Sequence, residues 1–131
     1  MKYIDEEDTV MNFTHLVGNT PMIRIRYKLD GREGFAWAKL EAYNLSGSIK
    51  DRLAAHVITK STANGTLKPG QPIVEAVSGP FATALTLAGQ TAGHPVVLVM
   101  PEDAPAMRQE SLLRLGAQIL HTPAQAGPAG A

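Results

Sequence analysis

Residues 72–100 read PIVEAVSGPFATALTLAGQTAGHPVVLVM, and this stretch decides the fold. "PIVEAV", 72–77, is a short apolar strand. Residues 80–92 follow as a helix, because Phe81, Ala84, Leu85 and Ala88 recur at i, i+3, i+4 and i+7 and so share one helical face. Gly93 supplies the stop. "PVVLVM", 95–100, is apolar throughout, as strands covered on both faces are. A strand, a helix and a second strand in so short a span imply two parallel strands joined by a right-handed crossover.

The same pattern extends both ways. Downstream, residues 105–115 read as a helix with Asp103 as its cap and Gly116 as its stop. "AQILHT", 117–122, is a further strand. Upstream, residues 50–63 read as a helix with Leu53 and Val57 one turn apart, closed by Asn64-Gly65, and Pro69-Gly70 turns the chain. "FAWAKLEAY", 35–43, reads as a strand, "DGREG", 30–34, as a turn, and "NTPMIRIRY", 19–27, as an extended segment. The order predicts an α/β, three-layer fold with a four-stranded parallel sheet flanked by helices. Residues 1–15 are expected to be an N-terminal arm, 16–122 a small α/β domain, and 123–131 a Pro/Ala/Gly-rich tail.

The totals bound the function. The 131 residues suffice for one domain. With 12 basic and 12 acidic residues the chain is formally neutral, so nothing points to nucleic acid or an acidic membrane surface. There is no cysteine, which excludes disulfides and thiolate chemistry. His15, His56, His94 and His121 lie far apart and show no metal-ligand spacing, so no metal site is expected. The start, MKYIDEED, is acidic where a signal peptide is basic, and "VVLVM" is too short to cross a bilayer; a cytoplasmic location is expected. Asn12 and Asn44 sit in N-x-[ST] patterns, read as chance occurrences.

Two turns carry the chemistry. "SGSIKDR", 46–52, is a small-residue turn that places Lys50 at the start of a helix. "VSGPFA", 77–82, is a glycine-containing strand-to-helix turn. Ligands of open α/β sheets sit beyond the carboxyl ends of the strands, where helix N-termini offer unpaired N–H groups to anions. A lysine in such a field gives up its proton more readily, which suits a nucleophilic amine. Lys50 is equally compatible with a solvated first-turn lysine. "SGPF" is equally compatible with a good helix start, in which Ser78 caps and Pro80 occupies the first turn.

The order of segments narrows these alternatives. "VGNTPMIRI", "AKLEAYNLSGSIKDRLA", "NGTLKPGQPIVEAVSG" and "VVLVMPEDAPAMRQESLLRLGAQILHT" together resemble the cysteine synthase family, pyridoxal-phosphate enzymes of the tryptophan synthase β-subunit fold. The O-acetylserine sulfhydrylases are the members it most resembles, and the likeness runs from about residue 16 onward. The resemblance implies that Lys50 occupies the Schiff-base position. It implies further that residues 77–81 correspond to a Thr-Ser-Gly-Asn-Thr loop that grips the substrate carboxylate. Only Ser78 and Gly79 match that loop.

The departures are chemically large. Val77 replaces a hydroxyl with a methyl, Pro80 removes an amide side chain and a backbone donor, and Phe81 replaces a second hydroxyl with a ring. Each charged hydrogen bond lost from an anion site costs about 1.5–3 kcal/mol. Family chains also run to roughly twice this length. Their cofactor-phosphate loop and the residue facing the pyridine nitrogen lie in the half that this sequence does not match. The expectation is therefore a cysteine-synthase-like domain that is catalytically inactive, does not stably bind pyridoxal phosphate alone, and keeps a binding, regulatory or remnant role. The alternative is a cysteine synthase, making cysteine from O-acetylserine and sulfide, completed by a partner chain, with Lys50 holding the cofactor and acting as base. A homodimer is expected through the face that a larger domain covers in the relatives.

Overall fold

The computed structural model describes residues 12–77 and 79–126. Two strands, β1 (Met22–Leu29) and β2 (Arg32–Lys39), form an antiparallel hairpin. Leu29 pairs with Arg32, so the loop is Asp30-Gly31 alone. Both loop residues have positive φ, 49° and 77°, which matches strand twist in a two-residue hairpin. Helix α1 (Lys50–Ala63) follows a short 3₁₀ turn at Glu41–Tyr43. Then come β3 (Ile73–Ala76), α2 (Pro80–Thr91), β4 (Val96–Pro101), α3 (Ala106–Arg114) and β5 (Gln118–Thr122).

Strands β3, β4 and β5 pair in that order, all parallel. The expected parallel sheet is thus present with three strands rather than four. Residues 35–43 do not supply its first strand: 32–39 pair backwards onto β1, and 41–43 coil into the 3₁₀ turn. The period-2 pattern of a hairpin strand is the same as that of a parallel strand, so the pattern alone did not separate them.

Two successive right-handed crossovers in one direction put α2 and α3 on the same face of the sheet. On that face Val96, Leu98 and Met100 of β4 are buried, joined in the core by Leu85 and Ala88 of α2 and Leu112 of α3. On the other face Val74 and Leu120 are more than half exposed, and Val97 and Val99 are only partly buried. The second helical layer expected from the apolar run at 95–100 is absent among the described residues.

Helix α1 packs on α2 rather than on the sheet. Its buried face is Asp51, Ala54, Ala55 and Ile58, and small side chains let the two helices approach closely. Leu53 and Val57, one turn apart as the sequence shows, are 45% and 42% exposed. Helix ends follow the glycines: Gly65, Gly93 and Gly116 all have positive φ just after α1, α2 and α3. Asp103 does not cap α3, whose N-cap is Pro105 with no side-chain cap bond. Phe13, in the segment expected to be an arm, is buried in the core.

Candidate active site

The triplet Lys50-Asp51-Arg52 sends its side chains to three different environments. Lys50 is exposed and is the first residue of α1, and its backbone N–H donates to Ser48 Oγ at 3.0 Å. Asp51 is 2% exposed. Its Oδ2 accepts from the Ser46 N–H at 3.0 Å, the Ser46 hydroxyl at 2.8 Å and the Ser48 N–H at 3.2 Å. The small-residue turn is therefore wound onto one carboxylate. Gly47, at φ 82°, permits the reversal that lets the serines on both sides point at it.

Arg52 turns the other way. Its Nε donates to Glu41 Oε2 at 2.7 Å, and its Nη2 donates to Glu41 Oε1 and Thr20 Oγ1, both at 3.1 Å. Glu41 also accepts from the Thr20 hydroxyl at 2.9 Å and the Asn44 amide at 2.8 Å, and it pairs with the Lys39 ammonium at 3.1 Å. Asn44 Oδ1 in turn accepts the Gly18 N–H at 2.8 Å. The Arg52 guanidinium foremost, with Asn44, Lys39 and Thr20, holds the Glu41 carboxyl far below the usual carboxylate range against the opposing effect of burial. Glu41 in turn raises Arg52. The network ties the 18–20 segment, the end of β2 and the 44 turn to the first turn of α1, so the helix bearing Lys50 is anchored by two independent carboxylates.

Sequence reasoning missed this machinery. Asn44 is buried, its amide wholly engaged, where the pattern alone suggested a chance glycosylation site. The available signal was the run Glu41…Asn44…Ser46…Ser48…Asp51-Arg52: charged and amide residues crowded around a turn with too few apolar neighbours to pack it otherwise.

The second turn follows β3. Val77 is buried, and its N–H bonds Val99 O at 3.1 Å, extending the parallel ladder. Ser78 lies outside the described residues. Gly79 has φ 71° and ψ −154°, a region open only to glycine. Pro80 is the first residue of α2, so one N–H that a helix start normally presents is missing. The Phe81 ring is partly buried against the core. Gly79 sits at the carboxyl end of a parallel strand as expected. Lys50 does not, because β2 belongs to the hairpin; its place is set by the packing of α1 on α2.

Neither His94, whose Nδ1 lies 3.0 Å from Gln71 O, nor His121, whose Nε2 lies 2.8 Å from Gln109 Oε1, has a second ligand-type neighbour. No group of three His, Asp or Glu able to hold a metal occurs among the described residues. Nor is any helix among them long and apolar enough to cross a membrane.

The site thus consists of a lysine at the head of a buttressed helix, followed by a parallel α/β unit with a glycine turn after its first strand. Residues 13–131 match the family described as "Pyridoxal-phosphate dependent enzyme", and the chain belongs to that family. It is 40% identical over 123 residues to the O-acetylserine dependent cystathionine beta-synthase of Bacillus subtilis, covering 93% of this chain and 40% of that relative. It is 35% identical to the cysteine synthase of Staphylococcus aureus, covering 93% of this chain and 39% of that one. Among solved structures, a hydrogen sulfide-producing enzyme from Fusobacterium nucleatum superposes with a TM-score of 0.86 at 36% identity, over 95% of this chain and 38% of that one. Cysteine synthase from Entamoeba histolytica gives 0.81 at 29% identity, over 99% and 38%. The chain thus spans about 40% of the length of the curated relatives it matches.

Against the cofactor that defines this family, the described residues fit in part only. The Lys50 amine is free to meet an aldehyde. Among the described residues no glycine-rich run of backbone donors stands ready for a phosphate, and the helix start at 79–81 presents a proline and an aromatic ring.

Proposed function

We propose that this chain is the lysine-bearing small domain of a cysteine-synthase-like fold that does not carry out the family's reaction by itself and serves a binding or regulatory role. The observation that carries the reading is the Gly79-Pro80-Phe81 turn. A carboxylate-binding turn works by aiming backbone N–H groups and hydroxyls at one point. Here the first helical residue lacks an N–H, Val77 points into the core, and the Phe81 ring packs inward. Two or three absent donors at about 1.5–3 kcal/mol each lower carboxylate affinity by several orders of magnitude. Residues 16–122 form the working domain, and we assign it to the cytoplasm.

Lys50 keeps its position in this proposal without its family role. Anchoring by Asp51 and Glu41–Arg52 is a stability device whether or not the amine reacts. The test is retention of added pyridoxal phosphate by the purified chain after dialysis, read as visible absorbance and compared with Lys50→Ala, together with sulfide-dependent cysteine formation from O-acetylserine. The expected result is no retained band and no turnover above free cofactor. A retained band that Lys50→Ala abolishes, accompanied by turnover, refutes the proposal.

The bare face of the parallel sheet favours a second reading, in which another polypeptide segment covers Val74, Val97, Val99 and Leu120 and completes a cysteine synthase. Turnover that appears only when that segment is added decides for it.

A further inference from the structure

We propose that Asn64 is a site of covalent self-modification: attack by the Gly65 backbone nitrogen, followed by water, converts its side-chain amide to aspartate and isoaspartate. The chain has asparagines at 12, 19, 44 and 64, and only Asn64 is followed by glycine. A residue without a Cβ leaves its own backbone nitrogen unshielded, so an Asn-Gly pair is where the next amide most easily reaches the side-chain carbon. The attack is intramolecular, so no encounter has to be organised.

The fold leaves this junction open. Asn64, Gly65 and Thr66 are all exposed, just beyond the last residue of α1. Gly65 has φ 75°, and a Cβ built on it would meet nothing within 4 Å. The Thr66 N–H donates to Asn64 Oδ1 at 3.0 Å. That oxygen takes the negative charge when Cγ is attacked, so a donor already aimed at it polarises the amide and favours the tetrahedral intermediate. One bond opposes the attack: the Gly65 N–H donates to Thr62 O at 3.1 Å. It is the terminal bond of a helix end open to water, the part of a fold that opens at least cost. The other asparagines lack this setting. Asn44 is buried with its amide engaged, Asn19 precedes the buried, β-branched Thr20, and Asn12 precedes Phe13, which lies in the core.

Water is the only co-reactant. The Gly65 nitrogen bonds to Asn64 Cγ as its proton passes to water, and the Cγ–Nδ2 bond breaks to release ammonia. Water then opens the cyclic imide. Opening at Cγ gives aspartate; opening at the backbone carbonyl gives isoaspartate. Either product adds a negative charge to a formally neutral chain and sets it at the carbonyl end of α1, the end that a negative charge destabilises. Isoaspartate also lengthens the main chain by a methylene shortly before Leu67, which packs on the core and whose N–H bonds Ser61 O at 2.9 Å. Modification therefore loosens the far end of the helix that begins at Lys50.

Incubation of the full folded chain in mildly alkaline buffer, followed by peptide mapping with mass spectrometry, tests this. The expected result is a gain of about 1 Da in the peptide containing residues 64–65, about tenfold or more faster than at Asn19 or Asn44. Asn64→Gln is expected to abolish the gain, and Gly65→Ala to slow it by about tenfold or more, with circular dichroism checking that each variant folds. The modified fraction, separated by its added charge on an anion exchanger, is expected to melt below the unmodified chain. No gain at 64–65, or an equal rate at Asn19, overturns the proposal. So does a gain that occurs only in urea, since the folded turn then protects Asn64. A modified fraction that melts with the unmodified chain overturns the loosening of α1.

Discussion

Replacing Gly89 with alanine sets a helix-propensity gain against a packing clash, and the structure decides which wins. Gly89 is buried in α2, where it faces β4. In an exposed helix, Gly→Ala stabilises by about 1 kcal/mol. Here the added Cβ meets Val96 Cγ2 at 2.5 Å and Ile73 Cδ1 at 3.3 Å. Val96 is 0% exposed and β-branched, so it has neither space nor an alternative rotamer of low energy. Relief to an ordinary contact of about 3.5 Å needs about 1 Å of helix displacement, and a gap of that size forfeits a quarter to a half of each dispersion contact it opens. Overpacking of this kind costs about 1–3 kcal/mol, and at the upper end for a rigid neighbour. The net expectation is destabilisation by about 1–2 kcal/mol, which lowers the melting temperature by roughly 4–7 °C for a domain of this size. Thermal unfolding followed by circular dichroism measures it. Val96→Ala in the same background removes the clashing methyl, so the double variant is expected to be more stable than the two single effects predict by about 1 kcal/mol or more. A melting point at or above the parent's, or strict additivity with Val96→Ala, refutes the reasoning.

Four further outcomes follow from the same structure. Arg52→Ala removes the partner that most depresses Glu41. Because the folded pKa of Glu41 lies below its unfolded value, the stability it contributes is fully present above about pH 4.3–4.5 and lost as pH falls below that. The parent's denaturant midpoint is thus expected to fall more steeply than the variant's between neutral and acid pH. Asp51→Ala unlatches Ser46 and Ser48 and is expected to destabilise by about 2 kcal/mol or more, with Asp51→Asn intermediate, read by urea unfolding. Gly79→Ala forces a Cβ into a glycine-only conformation and is expected to cost about 1–3 kcal/mol by the same measurement. Lys50→Ala is expected to leave stability within about 0.5 kcal/mol of the parent, since the side chain is exposed and only its backbone N–H is bonded.

Much of the architecture is local and was legible in the sequence. The helical face of Phe81, Ala84, Leu85 and Ala88, the glycine stops at 65, 93 and 116, and the apolar strands at 73–76, 96–101 and 118–122 are each written in nearest-neighbour chemistry. A turn residue with positive φ or a 3.6-residue apolar period needs no distant partner to be recognised. Lys50 and the 77–81 turn stood out for the same reason, because each is a short motif with its own backbone logic.

What remained hidden depends on contacts far apart in the chain. The Asp30-Gly31 pair is a local hairpin signal, but the period-2 pattern of a hairpin strand is also that of a parallel strand, and residues 32–39 were assigned only by their pairing with 22–29. Leu53 and Val57 are as apolar as the residues that were buried, yet α1 turned Ala54, Ala55 and Ile58 inward because α2, not the sheet, was its neighbour. The clamp of Glu41 on Arg52, Thr20 and Asn44 joins groups up to 32 positions apart and has no periodicity to betray it. The sequence by itself therefore determined which segments become helices and strands and where they turn, since those choices are settled within a few residues. Which faces are covered, and which charges find each other, was decided by tertiary structure alone, because burial and ion pairing are properties of neighbours that only folding brings within reach.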